Sequence, residues 1–253
     1  MNKFFLFFFI LILLGACKND QAPLPILGRH EYNPTFKDGE MVIDTVFYRL
    51  PEFEFEGHTG NVIGTAQLNG KVHVADFFFT SCPTICPSMS RNMLEVSNEY
   101  LENDKVAFLS FTIDPRHDSI AVLKKYAEKL GTQNKNWYFL TGPKEEIFEM
   151  AEAYMVSAAE DPHAPGGLVH SGAFILVDSQ SRIRAYYDGT VKEDLEKLKR
   201  DLDFSLFVYL HLQVITTYHS FNLRLIATGL HFLSIQRHSI STCDSLLLAA
   251  LKK

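Results

Sequence analysis

Apolar and polar positions along this chain repeat with two different periods. Val72–Thr80 (VHVADFFFT) is almost continuously apolar and rich in β-branched and aromatic residues, which predicts a strand buried on both faces. Pro83 to about Leu101 changes to helical spacing, with Pro83 at a tolerated first-turn position. Val106–Ile113 reads as a second buried strand. Ile120, Val122, Leu123, Tyr126, Ala127 and Leu130 then mark one helix face over Asp118–Leu130, which Gly131 ends. A short strand follows at Trp137–Leu140 and a helix at Lys144–Met155. Ala173–Val177 and Ile183–Tyr187 are two strands joined by a polar turn, and Val191–Leu202 is a charged amphipathic helix. Strands alternating with helices predict an α/β sheet covered on both faces. No internal repeat is present.

The two ends differ from this body. Phe4–Leu14 is an unbroken apolar run after Lys3, followed by Gly15-Ala16-Cys17. The run has the length of a signal-peptide core and is too short for a bilayer span of about 20 residues. Leu13-Leu14-Gly15-Ala16-Cys17 resembles a bacterial lipobox, which implies cleavage before Cys17 and a lipid on its thiol. The competing reading is an uncleaved membrane anchor. Either way the body is expected in the cell envelope, facing the periplasm or the exterior. The expected organisation is a signal peptide over 1–16, a tether over 17–38, a folded body over 39–203 and an atypical tail over 204–253. The tail carries a single acidic residue, Asp244, and no formal charge from Phe204 to Leu223. Its polar residues disfavour a bilayer span. A membrane-facing helix pair and a tail appended by a shifted reading frame are the two readings of it.

Composition narrows the function classes. The chain is 47% hydrophobic and 21% charged with a net charge of -6, which fits neither a disordered chain nor a nucleic-acid binder. Four cysteines in 253 residues are too few for a disulfide framework.

Chemistry concentrates at Cys82-Pro83-Thr84-Ile85-Cys86-Pro87, where a buried strand gives way to a helix. Unpaired N–H groups at a helix start favour a thiolate, so Cys82 is expected to have a lowered pKa. Cys86 lies one helical turn on, at a Cβ separation of about 5–6 Å. A disulfide wants about 3.8 Å, whereas metal–sulfur bonds of about 2.3 Å span the wider gap. Soft thiolates favour Cu(I), and an added imidazole suits either copper oxidation state. A strand-to-helix corner also places the thiols at the carboxyl edge of the sheet, where ligands bind. His170, at a loop-to-strand junction, is the candidate third ligand; His163, in a Pro/Gly loop, competes with it. Met89 and Met93 are one turn apart and read as core. Cys243 has no assigned role.

Four blocks, DFFFTSCPTICPSM, FTIDPRHDSIAVLKKYAEKLG, NWYFLTG and GGLVHSGAFILVD, resemble the Sco/SenC family in order and spacing, over about Pro51 to Leu202. The resemblance implies a thioredoxin-like α/β fold, with a central mixed sheet and helices on both faces. It implies a copper site, Cu(I) or Cu(II), made by Cys82, Cys86 and His170. It also implies a role in assembling the copper centre of cytochrome c oxidase, as copper donor, as thiol reductant through a redox-active Cys82–Cys86 pair, or both. The implied partners are the copper-bearing oxidase subunit, other copper carriers or thiol–disulfide proteins, and a membrane reached through the lipid anchor. Many family members are acidic between the cysteines and just before the histidine; here those positions are Thr84 and Val169. Asp114, in the Thr112-Ile113-Asp114-Pro115 block, is expected to start the next helix.

Overall fold

The computed structural model describes residues 23–227. Cys17, the lipobox and Cys243 lie outside the described residues. In chain order the elements are β1 (Glu31–Lys37), β2 (Glu40–Val46), β3 (Glu54–Gly57), β4 (Val62–Gly64), α1 (Thr65–Leu68), β5 (Val72–Phe78), α2 (Cys86–Asn98), β6 (Val106–Thr112), α3 (Ile120–Leu130), β7 (Trp137–Thr141), α4 (Lys144–Ala153), β8 (Ala158–Glu160), β9 (Leu168–His170), β10 (Ala173–Val177), β11 (Ile183–Asp188) and α5 (Lys192–Ala227).

Seven strands form one sheet in the order β11-β10-β5-β6-β7-β3-β4. β5, β6 and β7 run parallel, while β10 and β3 join them antiparallel on either side. The sheet is therefore mixed, as the thioredoxin-like reading requires. Every residue of β5 and β6 is buried, so both faces of the sheet centre are covered. Phe77 stacks on Phe111 with ring centroids 5.1 Å apart, and Tyr154 packs against both. Gly131 ends α3 in a left-handed conformation, φ 78°, as its position predicts.

Two expected boundaries move. The stretch 17–38, expected as a tether, is structured in its described part. Leu27 N–H donates to the Ile183 carbonyl at 2.8 Å, and β1 and β2 pair as a hairpin. Asp38 and Gly39 both take positive φ, 53° and 85°, which is the Asp-Gly turn that closes two-residue hairpins. At the other end, the last helix does not stop at Leu202 but continues to Ala227. No Gly or Pro occurs between Phe204 and Ala227 to stop it. Its buried stripe is Leu195, Leu198, Leu202 and Leu206. Among the described residues no helix is long and apolar enough to cross a membrane.

Candidate metal centre

β5 delivers the chain to the site. At its carboxyl end, Asp118 accepts from the Thr80 N–H at 3.0 Å and from the Thr80 hydroxyl. It also accepts from the Thr112 hydroxyl at 2.5 Å. One carboxylate thus pins the ends of β5 and β6, and fixes where the cysteine loop begins. Asp114 does not start α3; its carboxylate pairs with His117 Nδ1 at 2.8 Å, and Ser119 is the residue that precedes the helix.

The helix begins later than its pattern suggests. Cys82 N–H donates to the Phe79 carbonyl, which closes a turn, and α2 starts at Cys86 with Pro87 in its first turn. Cys82 and Cys86 are therefore not on successive helical turns. The loop still folds so that both sulfurs and an imidazole nitrogen of His170 lie within 4.8 Å of one another.

His170 arrives from the other side of the sequence. It ends β9, which pairs with β8 in a separate two-stranded sheet, Ala158 opposite His170. His170 Nδ1–H donates to the Ser171 carbonyl at 2.9 Å. That bond leaves the Nε2 lone pair free, and Nε2 lies 3.0 Å from Cys86 Sγ. The Phe79 ring packs edge-on against the imidazole, with centroids 5.9 Å apart. Gly166, at φ 85°, lets the covering loop approach: a Cβ there would meet Phe79 at 2.9 Å. His163, the competing candidate, is exposed.

The site is more enclosed than a sheet edge suggests, with Cys82 and Cys86 only 7% and 1% exposed. The two thiols are electrostatically unequal. Burial pushes Cys82 up, but hydrogen bonds from the Cys86 thiol, the Thr84 hydroxyl and the Thr84 and Cys86 N–H groups outweigh it and bring Cys82 down to about 6. Burial and the hydrogen bond to Cys82 push Cys86 well above the usual thiol range. The lowered Cys82 pKa matches expectation, but hydrogen bonds to its sulfur produce it, since the residue precedes the helix. Thr84 supplies one of these donors, with Oγ1 3.5 Å from Cys82 Sγ. In the reduced metal-free protein, iodoacetamide is therefore expected to alkylate Cys82 with a midpoint near pH 6, with Cys86 unmodified there. Peptide mapping across pH checks this; one shared midpoint near the ordinary thiol value of about 8.5 would contradict it.

Asp76 is the residue the strand pattern conceals. It sits in β5, 2% exposed, and accepts from the Ser110 hydroxyl at 2.6 Å, while Ser110 Oγ accepts from Trp137 Nε1 at 2.9 Å. Burial raises its pKa to about 6, against the Ser110 hydrogen bond and the nearby His170, which lower it. Its charge in turn raises Cys86. The signal is a lone carboxylate in a strand whose one other polar residue is His73.

Two thiols and one imidazole suit a soft, thiophilic ion. Bonds of about 2.0–2.3 Å place two ligands of one ion about 3.5–4.6 Å apart. The observed trio, within 4.8 Å, accommodates that spacing with the Cys86–His170 pair opening slightly. Met89 and Met93 are fully buried in α2 and are core.

Comparisons place this geometry. The sequence model of the SCO1/SenC family matches residues 48–203. A SCO1 protein homolog of Bacillus subtilis is 31% identical over 166 residues, covering 65% of this chain and 86% of its own. The crystal structure of a SCO1/SenC family lipoprotein from Bacillus anthracis superposes with a TM-score of 0.58 at 31% identity, over 63% of this chain and 95% of that one. A structure of BsSco, described as a member of the Sco family of cytochrome c oxidase assembly proteins with a disulfide switch, gives a TM-score of 0.56 at 31% identity, over 62% and 93%. The matched span contains the sheet, the cysteine loop and the strand that ends in His170, and by that match this chain belongs to the SCO1/SenC family.

Proposed function

We infer that this protein binds one copper ion through Cys82, Cys86 and His170 and delivers it to the copper centre of cytochrome c oxidase during assembly. The observation that carries this reading is the convergence of those three ligand atoms within 4.8 Å in an enclosed site. Copper is cargo here, and it leaves by ligand exchange. An incoming protein thiolate bonds to the ion as the His170 nitrogen or one sulfur releases it, so the ion is never free. The Ser171 carbonyl holds the imidazole in the tautomer whose Nε2 can bind. Attachment to the envelope through a lipid on Cys17 belongs to the same reading; the relative from Bacillus anthracis is described as a lipoprotein.

The inequality of the two thiols favours a second reading, a thiol–disulfide reductase for the oxidase copper-site cysteines. The Cys82 thiolate would attack a partner disulfide, releasing one partner thiolate. Cys86, giving up its proton, would then attack the mixed disulfide and release the second. Two electrons pass to the partner, and Cys82–Cys86 becomes a disulfide that cannot bind copper.

Anaerobic copper titration of the reduced protein separates the readings. One tightly held copper per chain is expected, weakened at least tenfold by His170→Ala. Binding indifferent to His170, together with rapid reduction of a partner disulfide, would transfer the assignment to the reductase.

A further inference from the structure

The β1–β2 hairpin has two chemically different faces. Its register pairs Tyr32 with Thr45, Pro34 with Ile43 and Phe36 with Met41. Side chains alternate between faces, so Tyr32, Pro34, Phe36, Met41 and Ile43 share one side, with Thr45 as its one polar member. Glu31, Asn33, Thr35, Lys37, Glu40 and Asp44 lie on the other, together with Val42 and Val46. The apolar side is open: Phe36 is 78% exposed, Tyr32 64%, Met41 64% and Ile43 59%. The hairpin is a sheet of its own, separate from the seven-stranded one, and lies outside the segment the family model matches. An apolar face this continuous on an exposed element marks an interaction surface.

We propose that this face lies on the membrane, with Tyr32, Pro34, Phe36, Met41 and Ile43 seated at the boundary between lipid headgroups and acyl chains. The inference rests on the reading that the chain is held at a membrane through Cys17. Fourteen residue steps separate Cys17 from Glu31, a reach of at most about 50 Å, so an anchored chain keeps the hairpin near the bilayer. A second copy is a poor occupant. Two strands of seven residues give a face of roughly 10 by 23 Å, and two such faces together fall well short of the ~1,200 Å² of a stable dimer. Both hairpin edges carry unpaired backbone groups that need water, which excludes deep insertion but not the interface. The polar side carries Glu31, Glu40 and Asp44 against Lys37. Attraction to anionic lipid therefore does not drive the contact, which should be as strong on neutral bilayers.

The full-length lipidated chain with Phe36→Trp, reconstituted in neutral phosphatidylcholine vesicles with brominated acyl chains, tests this. The single native tryptophan, Trp137, is 1% exposed and serves as the fixed reference. The introduced indole is expected to shift to the blue and to lose about half its emission to the brominated lipid, as an apolar side chain at the interface should. Added Met41→Asp and Ile43→Asp changes should abolish the quenching while the protein still floats with the vesicles. Vesicle-bound protein whose new indole stays unquenched and open to acrylamide would overturn the proposal and leave the anchor intact. Protein that fails to float would overturn the anchor reading and this one with it. A shift that appears without lipid and grows with protein concentration would assign the face to a second copy instead.

Discussion

Cys86→Ser is expected to weaken Cu(I) binding more than 100-fold, measured by competition with a chromophoric Cu(I) chelator. Loss of a partner that only orients a ligand already costs about 10- to 100-fold, and Cys86 is itself a ligand in the inferred site. A serine hydroxyl is a hard oxygen that stays protonated at neutral pH and cannot replace a thiolate for a soft ion. Cys86 is also 1% exposed, with Sγ 3.0 Å from His170 Nε2, so no outside group can take its place. Serine has nearly the same shape, and the fold should survive. Met93→Leu provides the contrast. Met93 is fully buried in the same helix, and its replacement should leave affinity unchanged. A Cys86→Ser protein within tenfold of the parent would remove Cys86 from the ligand set.

The second large effect is on stability. Asp76→Asn is expected to stabilise the metal-free reduced protein at pH 7.5 by up to about 3 kcal/mol, from roughly two pKa units at 1.36 kcal/mol each. Burial raises the Asp76 carboxyl in the folded protein from 3.8 to about 6, although the Ser110 hydrogen bond and His170 oppose the rise. Below about pH 4 both folded and unfolded chains hold the proton, and the aspartate costs nothing by this route. As pH rises towards 6 the unfolded chain ionises first, so stability is lost, and the loss is complete above the folded value. Asparagine keeps an oxygen for the Ser110 hydroxyl and never ionises. Urea unfolding at pH 7.5 and pH 3.5 should show the gain at the first pH and none at the second. Destabilisation at pH 7.5 would mean that the charged carboxylate supports the fold.

Much of this was legible in the chain because each signal was local. The largely apolar stretch Val72–Thr80 reads as a covered strand, and β5 is buried at every position. Gly131 stops α3 where the periodicity ends. The cysteine spacing announced the site, although it misplaced Cys82 on a helix. A backbone turn at Phe79–Cys82 intervenes, and side-chain periodicity carries no information about it. The enclosure of the thiols was invisible because a loop about 80 residues away supplies it, with Gly166 packed on Phe79. Asp76 was hidden for a related reason. Its partner Ser110 and the Trp137 that donates to Ser110 sit on β6 and β7, and only the parallel register brings three distant residues into one buried chain. The Asp-Gly turn of the hairpin is a readable signal, and it lies at the boundary between the expected tether, 17–38, and the expected body, 39–203.

The way His170 reaches the site has a consequence for when the site exists. The cysteines are four residues apart and can meet one ion in an unfolded or nascent chain. The imidazole is 84 residues from Cys86 and arrives only once β5 has docked between β6 and β10 and the β8–β9 excursion has closed over the loop. Long-range closure of this kind comes late in folding. In the inferred site the third ligand would therefore act as a completion signal: a partly folded chain would offer an ion only the two sulfurs of this trio, and the three-ligand site would be reserved for molecules that have finished folding. Unfolding should release that hold in the same cooperative step, so the lifetime of the bound ion reports the lifetime of the native fold.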